Sequence, residues 1–257
     1  MDWRRLLKGA ANLIWPEVCE VCGCSLVNGE KVICLGCRLK LPRTMLHTDS
    51  FSIIHQRLAG KVPVERAAGY FYYYRSGEFT RLIYATKYHG RPKVARYLAS
   101  EYAREIRSDG FFDGIDLVIP VPLHRFKEWK RGYNQSRYIA LGIADVTGIA
   151  VGNNLVATRS HATQTRKNAY HRWLNSRNLY RAVNPSELEG KHILIVDDVL
   201  TTGTTAAACA QALLYWHAAK LFTPPPPQPA YQCSRSPWRT YNDLRLKASI
   251  KLPGVAL

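Results

Sequence analysis

Acidic side chains are scarce in this chain: 19 Asp and Glu stand against 36 Lys and Arg, a formal net charge of +17 over 257 residues. Such a balance predicts attraction to phosphates, whether in nucleotides, nucleic acid or anionic lipid, without choosing among them. No stretch comes near the roughly 18 consecutive apolar residues of a membrane-spanning helix, so no transmembrane segment is expected. The basic start Met1-Asp-Trp-Arg-Arg leads into a short apolar stretch broken by Asn12, with no convincing small-residue cleavage site after it. It reads as an amphipathic lead-in able to touch a membrane surface, and not as a secretory leader. The seven cysteines, five of them before residue 38, do not form the framework of a secreted disulfide scaffold in a chain this long. The cytoplasm is therefore the expected location, with room for contact at the inner face of the membrane. An internal repeat is also missing. What remains is globular in composition, with 47% hydrophobic residues, and long enough for one ordinary domain plus a small accessory module.

Cys19-x-x-Cys22 and Cys34-x-x-Cys37, separated by eleven residues, are the first feature with chemistry. Each pair can place two sulfurs on one side of a tight turn, and two such knuckles complete a tetrahedral shell suited to zinc. Two disulfides, free buried thiols or a redox pair are the competing readings. With four protein ligands no coordination position stays open, so the metal would organise the fold and not catalyse. Cys24 is taken as a non-ligand, although it could replace Cys22.

Beyond Pro42 a polar stretch with few periodic signals runs to about Val62. Residues 67–74 are aromatic-rich and read as a strand. Residues 79–88 and 94–106 carry apolar residues at helical spacing, as do residues 136–146, ended near Gly148. Residues 116–122 and 191–197 are short continuous apolar runs, which suits strands buried on both faces. Residues 204–215 form an alanine-rich helix. Strands alternating with helices predict an α/β domain with a mostly parallel sheet, whose ligands bind beyond the carboxyl ends of the strands.

At one such end, Ile193-Leu-Ile-Val196 runs directly into Asp197 and Asp198, then Thr201, Thr202, Gly203, Thr204 and Thr205 open a helix. Adjacent carboxylates cannot enter the core unpaired. At an exposed strand end they can accept from ribose hydroxyls. The Thr/Gly turn can aim backbone N–H groups and hydroxyls at a 5′-phosphate, helped by the helix N-terminus. The blander alternative is a simple threonine cap with solvated aspartates. The turn is not a nucleoside-triphosphatase loop, because Gly-Lys-Ser/Thr is missing after Gly203.

After the other buried run, Lys130, Arg131, Gly132, Tyr133, Asn134 and Gln135 supply a point charge, a bidentate fork, close backbone approach and neutral donors. That set suits a diphosphate, although an ordinary basic helix start would look similar. The order of paired cysteines, Pro-Val-Pro with Arg131-Gly-Tyr-Asn-Gln135, and Asp-Asp-x-x-Thr-Thr-Gly resembles the ComF family of bacterial competence proteins, also called GntX-like. Asn12-Leu-Ile-Trp-Pro16, Ile83-Tyr-Ala-Thr-Lys-Tyr-His-Gly90, Thr163-Gln164, Arg172 and Asn175 add to the resemblance, which covers about residues 10–214.

The resemblance implies an N-terminal zinc ribbon over residues 1–45 and a type I phosphoribosyltransferase-like domain over 46–222. Asp197, Asp198 and the 201–205 turn would hold the ribose and 5′-phosphate of phosphoribosyl diphosphate, and residues 130–135 its diphosphate, bridged by Mg2+. Structural Zn2+ would sit on Cys19, Cys22, Cys34 and Cys37. No general base stands out. Two functions compete: a phosphoribosyltransferase with an unidentified acceptor, and a non-catalytic DNA-uptake factor in which the phosphoribosyl site is a sensor or scaffold. For the second, partners would be single-stranded DNA or competence and recombination proteins. Residues 117–186 carry eleven Lys and Arg against Glu128 and Asp145 alone, interleaved with Trp129, Tyr133, Tyr138, Tyr170 and Trp173, which could stack on bases. The pattern departs from the family after about Leu214. There a polyproline run, Pro224-Pro-Pro-Pro-Gln-Pro229, opens a basic tail over 223–257 that is expected to be poorly ordered and to lack the family's last strand, through a reading-frame change or real divergence.

Overall fold

The computed structural model describes residues 16–49, 51–72, 74, 76–158, 179–221 and 250–251. Its centre is a five-stranded sheet. The two apolar runs form β2 (Leu117–Pro120) and β6 (Ile193–Asp197), and every residue of both is buried. They pair in parallel, Leu117 opposite Ile193 through Pro120 opposite Val196. Proline is tolerated there because β3 (Ala150–Val151) reaches only Leu117 and Val118, leaving Pro120 beyond the ladder on that side. With β1 (Ala68–Gly69) and β7 (Ile250–Lys251), the order is β1-β7-β6-β2-β3. All pairings in this sheet are parallel. The chain is α/β, as its alternating runs predict.

In the N-terminal part, α1 (Leu35–Lys40) contains Cys37 and is capped by the Cys34 sulfur. The stretch read as aperiodic holds α2 (Ile53–Leu58), capped by Ser52, with Ile54 and Leu58 buried. Six residues make less than two turns, too few for a helical period to show in sequence. The next helices are α3 (Thr80–Lys87) and α4 (Pro92–Arg107). Pro92 fits the first turn of α4, where an N–H is dispensable. Following β2 come the exposed α5 (Arg125–Arg131) and then α6 (Gln135–Thr147), which ends at Gly148 with φ +75°. That left-handed C-cap was legible from the glycine. A separate antiparallel hairpin, β4 (Leu155–Ala157) with β5 (Tyr180–Ala182), was not. The last long helix is α7 (Thr204–Leu221).

The tail contributes where no strand signal exists. Ile250 and Lys251 lie between β1 and β6, pairing with Ala68 and Gly69 on one side and with Val196 and Asp197 on the other. Two residues carry no readable period, so their place is decided by the open edge of β6. The rest of 223–257 lies outside the described residues.

Candidate functional site

The carboxyl ends of β2 and β6 open into a cavity of about 310 Å³, lined among others by Lys87, His124, Lys127, Tyr180, Asp198 and Thr201. Asp197 and Thr205 also line it. The strand-to-turn change explains this placement. β6 stays buried through Asp197, whose carboxylate accepts from the Asp198 N–H at 2.9 Å and the Ser136 hydroxyl at 3.4 Å. Asp198 is turned outward and forms an ion pair with the Lys87 ammonium at 2.8 Å. The aspartates therefore do different work: Asp197 is locked into the scaffold, whereas Asp198 faces the cavity against a cation.

The Thr/Gly turn is held from behind. Arg57 donates to the Thr201 carbonyl at 2.5 Å, and the Lys61 ammonium to the Thr202 carbonyl at 3.2 Å. Burial, followed by the charge of Arg57, holds the Lys61 pKa below the usual lysine range. Gly203 has φ +74°, and an added Cβ would sit 3.1 Å from Leu58 Cδ2; only glycine suits both the conformation and the contact. With those carbonyls drawn toward α2, the first N–H groups of α7, which have no intrahelical partner, are left for an anion. The hydroxyls of Thr202 and Thr204 bond each other at 2.8 Å.

None of the six residues 130–135 lines the cavity. The structure instead makes their segment a junction. Tyr133 donates to the Thr86 carbonyl at 2.6 Å, the residue before Lys87. Its burial, opposed by Arg131, pushes the phenol up, so it remains a neutral donor. Asn134 donates to the Val121 carbonyl at 2.9 Å and caps α6. The Gln135 side chain is buried and accepts from Arg131 at 3.1 Å. Arg131 lies over the Tyr88 ring, 6.0 Å from its centre, and Gly132 forms the left-handed cap of α5 at φ +79°. Lys130 is exposed.

Lys87, Lys127 and His124 are site residues that the sequence reading did not select. Lys87 had a signal, since it falls inside Thr86-Lys-Tyr-His-Gly90; the brace of the turn by Arg57 of α2 and by Lys61 just after it had none. Of the aromatic residues read as stacking candidates, Trp129 is 78% exposed and stands 6.2 Å from the ring of Phe126, itself 63% exposed. Tyr133 and Tyr138 instead pack edge to face on each other. Tyr170 and Trp173 lie outside the described residues, as do Thr163, Gln164, Arg172 and Asn175.

The four paired cysteines converge. Their sulfurs all lie within 4.8 Å of one another, and those of Cys22 and Cys34 are 3.7 Å apart. A tetrahedral shell with metal–sulfur bonds of about 2.3 Å needs sulfurs about 3.8 Å apart. The backbone N–H groups of Cys34 and Cys37 point at the sulfurs of Cys19 and Cys34, favouring thiolate. Burial raises the Cys19 pKa, but backbone donors from Cys22, Cys34 and Val21 outweigh it and bring it down to about 7. Burial and hydrogen bonding with the other thiols push Cys37 upward. Such a group can hold a metal ion. Cys24 is exposed and lies outside it.

Among the described residues no helix is long and apolar enough to cross a membrane. No protein-family model matches the chain. Among solved structures it is similar to a glutamine phosphoribosylpyrophosphate amidotransferase from B. subtilis at 25% identity. That likeness covers 46% of this chain and 23% of the other, with a TM-score of 0.32, too low to define a common fold. Curated relatives are more informative. DNA utilization protein YhgH of Salmonella typhi is 34% identical over 137 residues, 52% of this chain and 60% of its own length. Competence protein F of Haemophilus influenzae is 37% identical over 92 residues, 35% of this chain and 40% of the relative. DNA utilization protein YhgH of Shigella flexneri is 30% identical over 211 residues, which are 77% of this chain and 91% of the relative. That last match spans nearly the whole relative, and with the competence relative it shows that this chain belongs to the ComF family.

Proposed function

We propose that the chain binds phosphoribosyl diphosphate at the carboxyl ends of β2 and β6 and transfers the phosphoribosyl group to an acceptor. The observation that supports this most is the convergence of Asp198, Thr201 and Thr205 with Lys87, Lys127 and His124 on one cavity. The pieces suit the parts of the ligand. Asp198 can accept from ribose hydroxyls, the 201–205 turn can donate to the 5′-phosphate, and the cations can stabilise a departing diphosphate. Magnesium, arriving with the diphosphate, would add Lewis-acid stabilisation of the leaving group. Residues 130–135, for which a diphosphate role was expected, would act from behind Lys87. Zinc is the metal proposed for the four thiolates, residues 1–45 the metal module and 46–222 the phosphoribosyltransferase-like unit, working in the cytoplasm or against the inner face of the membrane.

Calorimetric titration with phosphoribosyl diphosphate and Mg2+ tests the reading. Asp198→Asn is expected to weaken binding at least about tenfold, as loss of a charge-assisted contact does; equal affinity in both proteins would remove Asp198 from the site. Arg57→Ala is expected to cost about fivefold in the same titration, because the Thr201 carbonyl loses its donor and the turn relaxes. Wild-type affinity in that variant would show that the turn needs no brace. Release of diphosphate with a panel of nucleobases tests turnover.

A second reading, single-stranded DNA binding, draws on α5. Phe126 and Trp129 are exposed beside Arg125 and Lys130, and Lys127 of the same helix lines the cavity. Stacking rings among cations suit unpaired bases. Trp129→Ala is expected to weaken oligonucleotide binding about tenfold, and affinity should fall steeply with salt. Salt-insensitive or undetectable binding would dismiss this reading.

A further inference from the structure

The cysteine module touches the rest of the chain at particular places. Arg81, in the first turn of α3, donates to the Val21 carbonyl at 2.8 Å. Arg91, four residues past Lys87, forms an ion pair with Glu20. Glu20 and Val21 are the two residues between Cys19 and Cys22, so one knuckle is fastened to the first turn of α3 and to Arg91, the N-cap of α4, whose own N–H donates to the Ala85 carbonyl of α3 at 3.2 Å. The knuckle is itself rigid: the Cys19 and Gly23 N–H groups donate to the Cys24 and Cys19 carbonyls, and the Glu20 N–H to the Val32 carbonyl at 2.9 Å, joining it to the second knuckle. On the opposite side, Tyr133 and Arg131 grip the last turn of α3 through Thr86 and Tyr88. The last residue of that helix is Lys87, which meets Asp198 across the cavity.

We infer that the Cys19–Cys22 knuckle is a positioning device for Lys87, with Arg81 and Arg91 as the positioning residues. The inference rests on the reading that the cavity takes a diphosphorylated ligand. A cation already in place needs no reordering when an anion arrives, and that saving appears as affinity. Lysine carries long, rotamer-rich side-chain freedom, so its usefulness depends on how well its backbone is held. A module present only to fold the N-terminus would need no contacts to the first turn of α3 and to the residue that joins it to α4.

The test uses full-length, metal-loaded chain with inorganic diphosphate and Mg2+ as the probe, comparing Arg81→Gln, Arg91→Gln and Glu20→Gln, none of which removes a thiolate. The Glu20 variant separates positioning from simple electrostatics. It leaves the Arg91 charge and removes a nearby negative one, so a pure field effect would strengthen diphosphate binding. Positioning predicts weakening instead, about three- to tenfold, with unchanged metal content and faster amide hydrogen exchange across residues 80–88. The Arg81 and Arg91 variants should behave likewise. Tighter or unchanged binding in the Glu20 variant overturns the inference, as does unchanged exchange across 80–88 in all three proteins. If wild-type chain binds no diphosphate, the phosphoribosyl reading falls and takes the ligand half of this inference with it, while the exchange data still decide whether the knuckle holds α3.

Discussion

Cys37→Ser should lose the metal and lower the melting temperature by roughly 10 °C or more. Cys37 is one of four sulfurs gathered within 4.8 Å and is 6% exposed, packed into the same core as Leu41 and Ile33. Structural zinc contributes on the order of 10 kcal/mol to the folding of small thiolate modules. The loss here should be smaller, because the module is also held by ion pairs from Arg38 to Glu101 and from Arg43 to Glu105. These are solvent-facing pairs of modest worth and cannot replace the metal. A cost of about 3–5 kcal/mol is expected, and for a chain of this size each kcal/mol moves the transition by about 2–4 °C. Cys24→Ser is the control: exposed and outside the group, it should keep the metal and melt within about 1 °C of wild type. Thermal melts with a colorimetric zinc assay on both variants check this, and stoichiometric zinc with an unchanged melt in the Cys37 variant would refute the four-thiolate site.

Gly142→Ala is expected to destabilise the chain by about 2–3 kcal/mol, against the direction that helix propensity alone predicts. Alanine in the middle of a helix is favoured over glycine by about 1 kcal/mol. In α6, however, a Cβ at 142 would overlap the Arg96 carbonyl oxygen of α4 and come within 2.7 Å of the Ala99 Cβ. Backbone cannot swing aside as a side chain can, so the two helices must separate. That weakens the packing of Leu98 and Ala99 and lengthens the bond from the Ser100 hydroxyl to the Gly142 carbonyl, now 3.0 Å. Over-packing of this kind costs about 1–3 kcal/mol or more, enough to overcome the propensity gain. Chemical denaturation measures the difference, and a variant as stable as wild type would refute close packing of α4 on α6 at Gly142.

The local motifs and the long-range contacts divide what could be read from the chain alone. Two cysteine pairs, two buried strands and an Asp-Asp-to-threonine turn are each written in a few consecutive residues, because a knuckle, a continuous apolar run and a glycine-containing turn are local structures. The same holds for the Gly148 helix end. Lys87 could be suspected only from its neighbours, since a lysine at the end of a helix is ordinary until Asp198 is found 2.8 Å away. The brace of Arg57 and Lys61 depends on contacts to residues more than 140 positions later, which no window of sequence contains. Residues 130–135 carry polar and basic side chains of the kind that suits a diphosphate, and none of them lines the cavity. Folding instead gives Tyr133, Asn134 and the neighbouring Ser136 carbonyl or carboxylate partners on three different elements. Sequence by itself therefore determined the α/β architecture, the metal-ready thiols and the chemistry of the strand ends. Which cation faces which carboxylate was decided only by tertiary packing, because charge pairs form between elements whose separation along the chain says nothing about their separation in space.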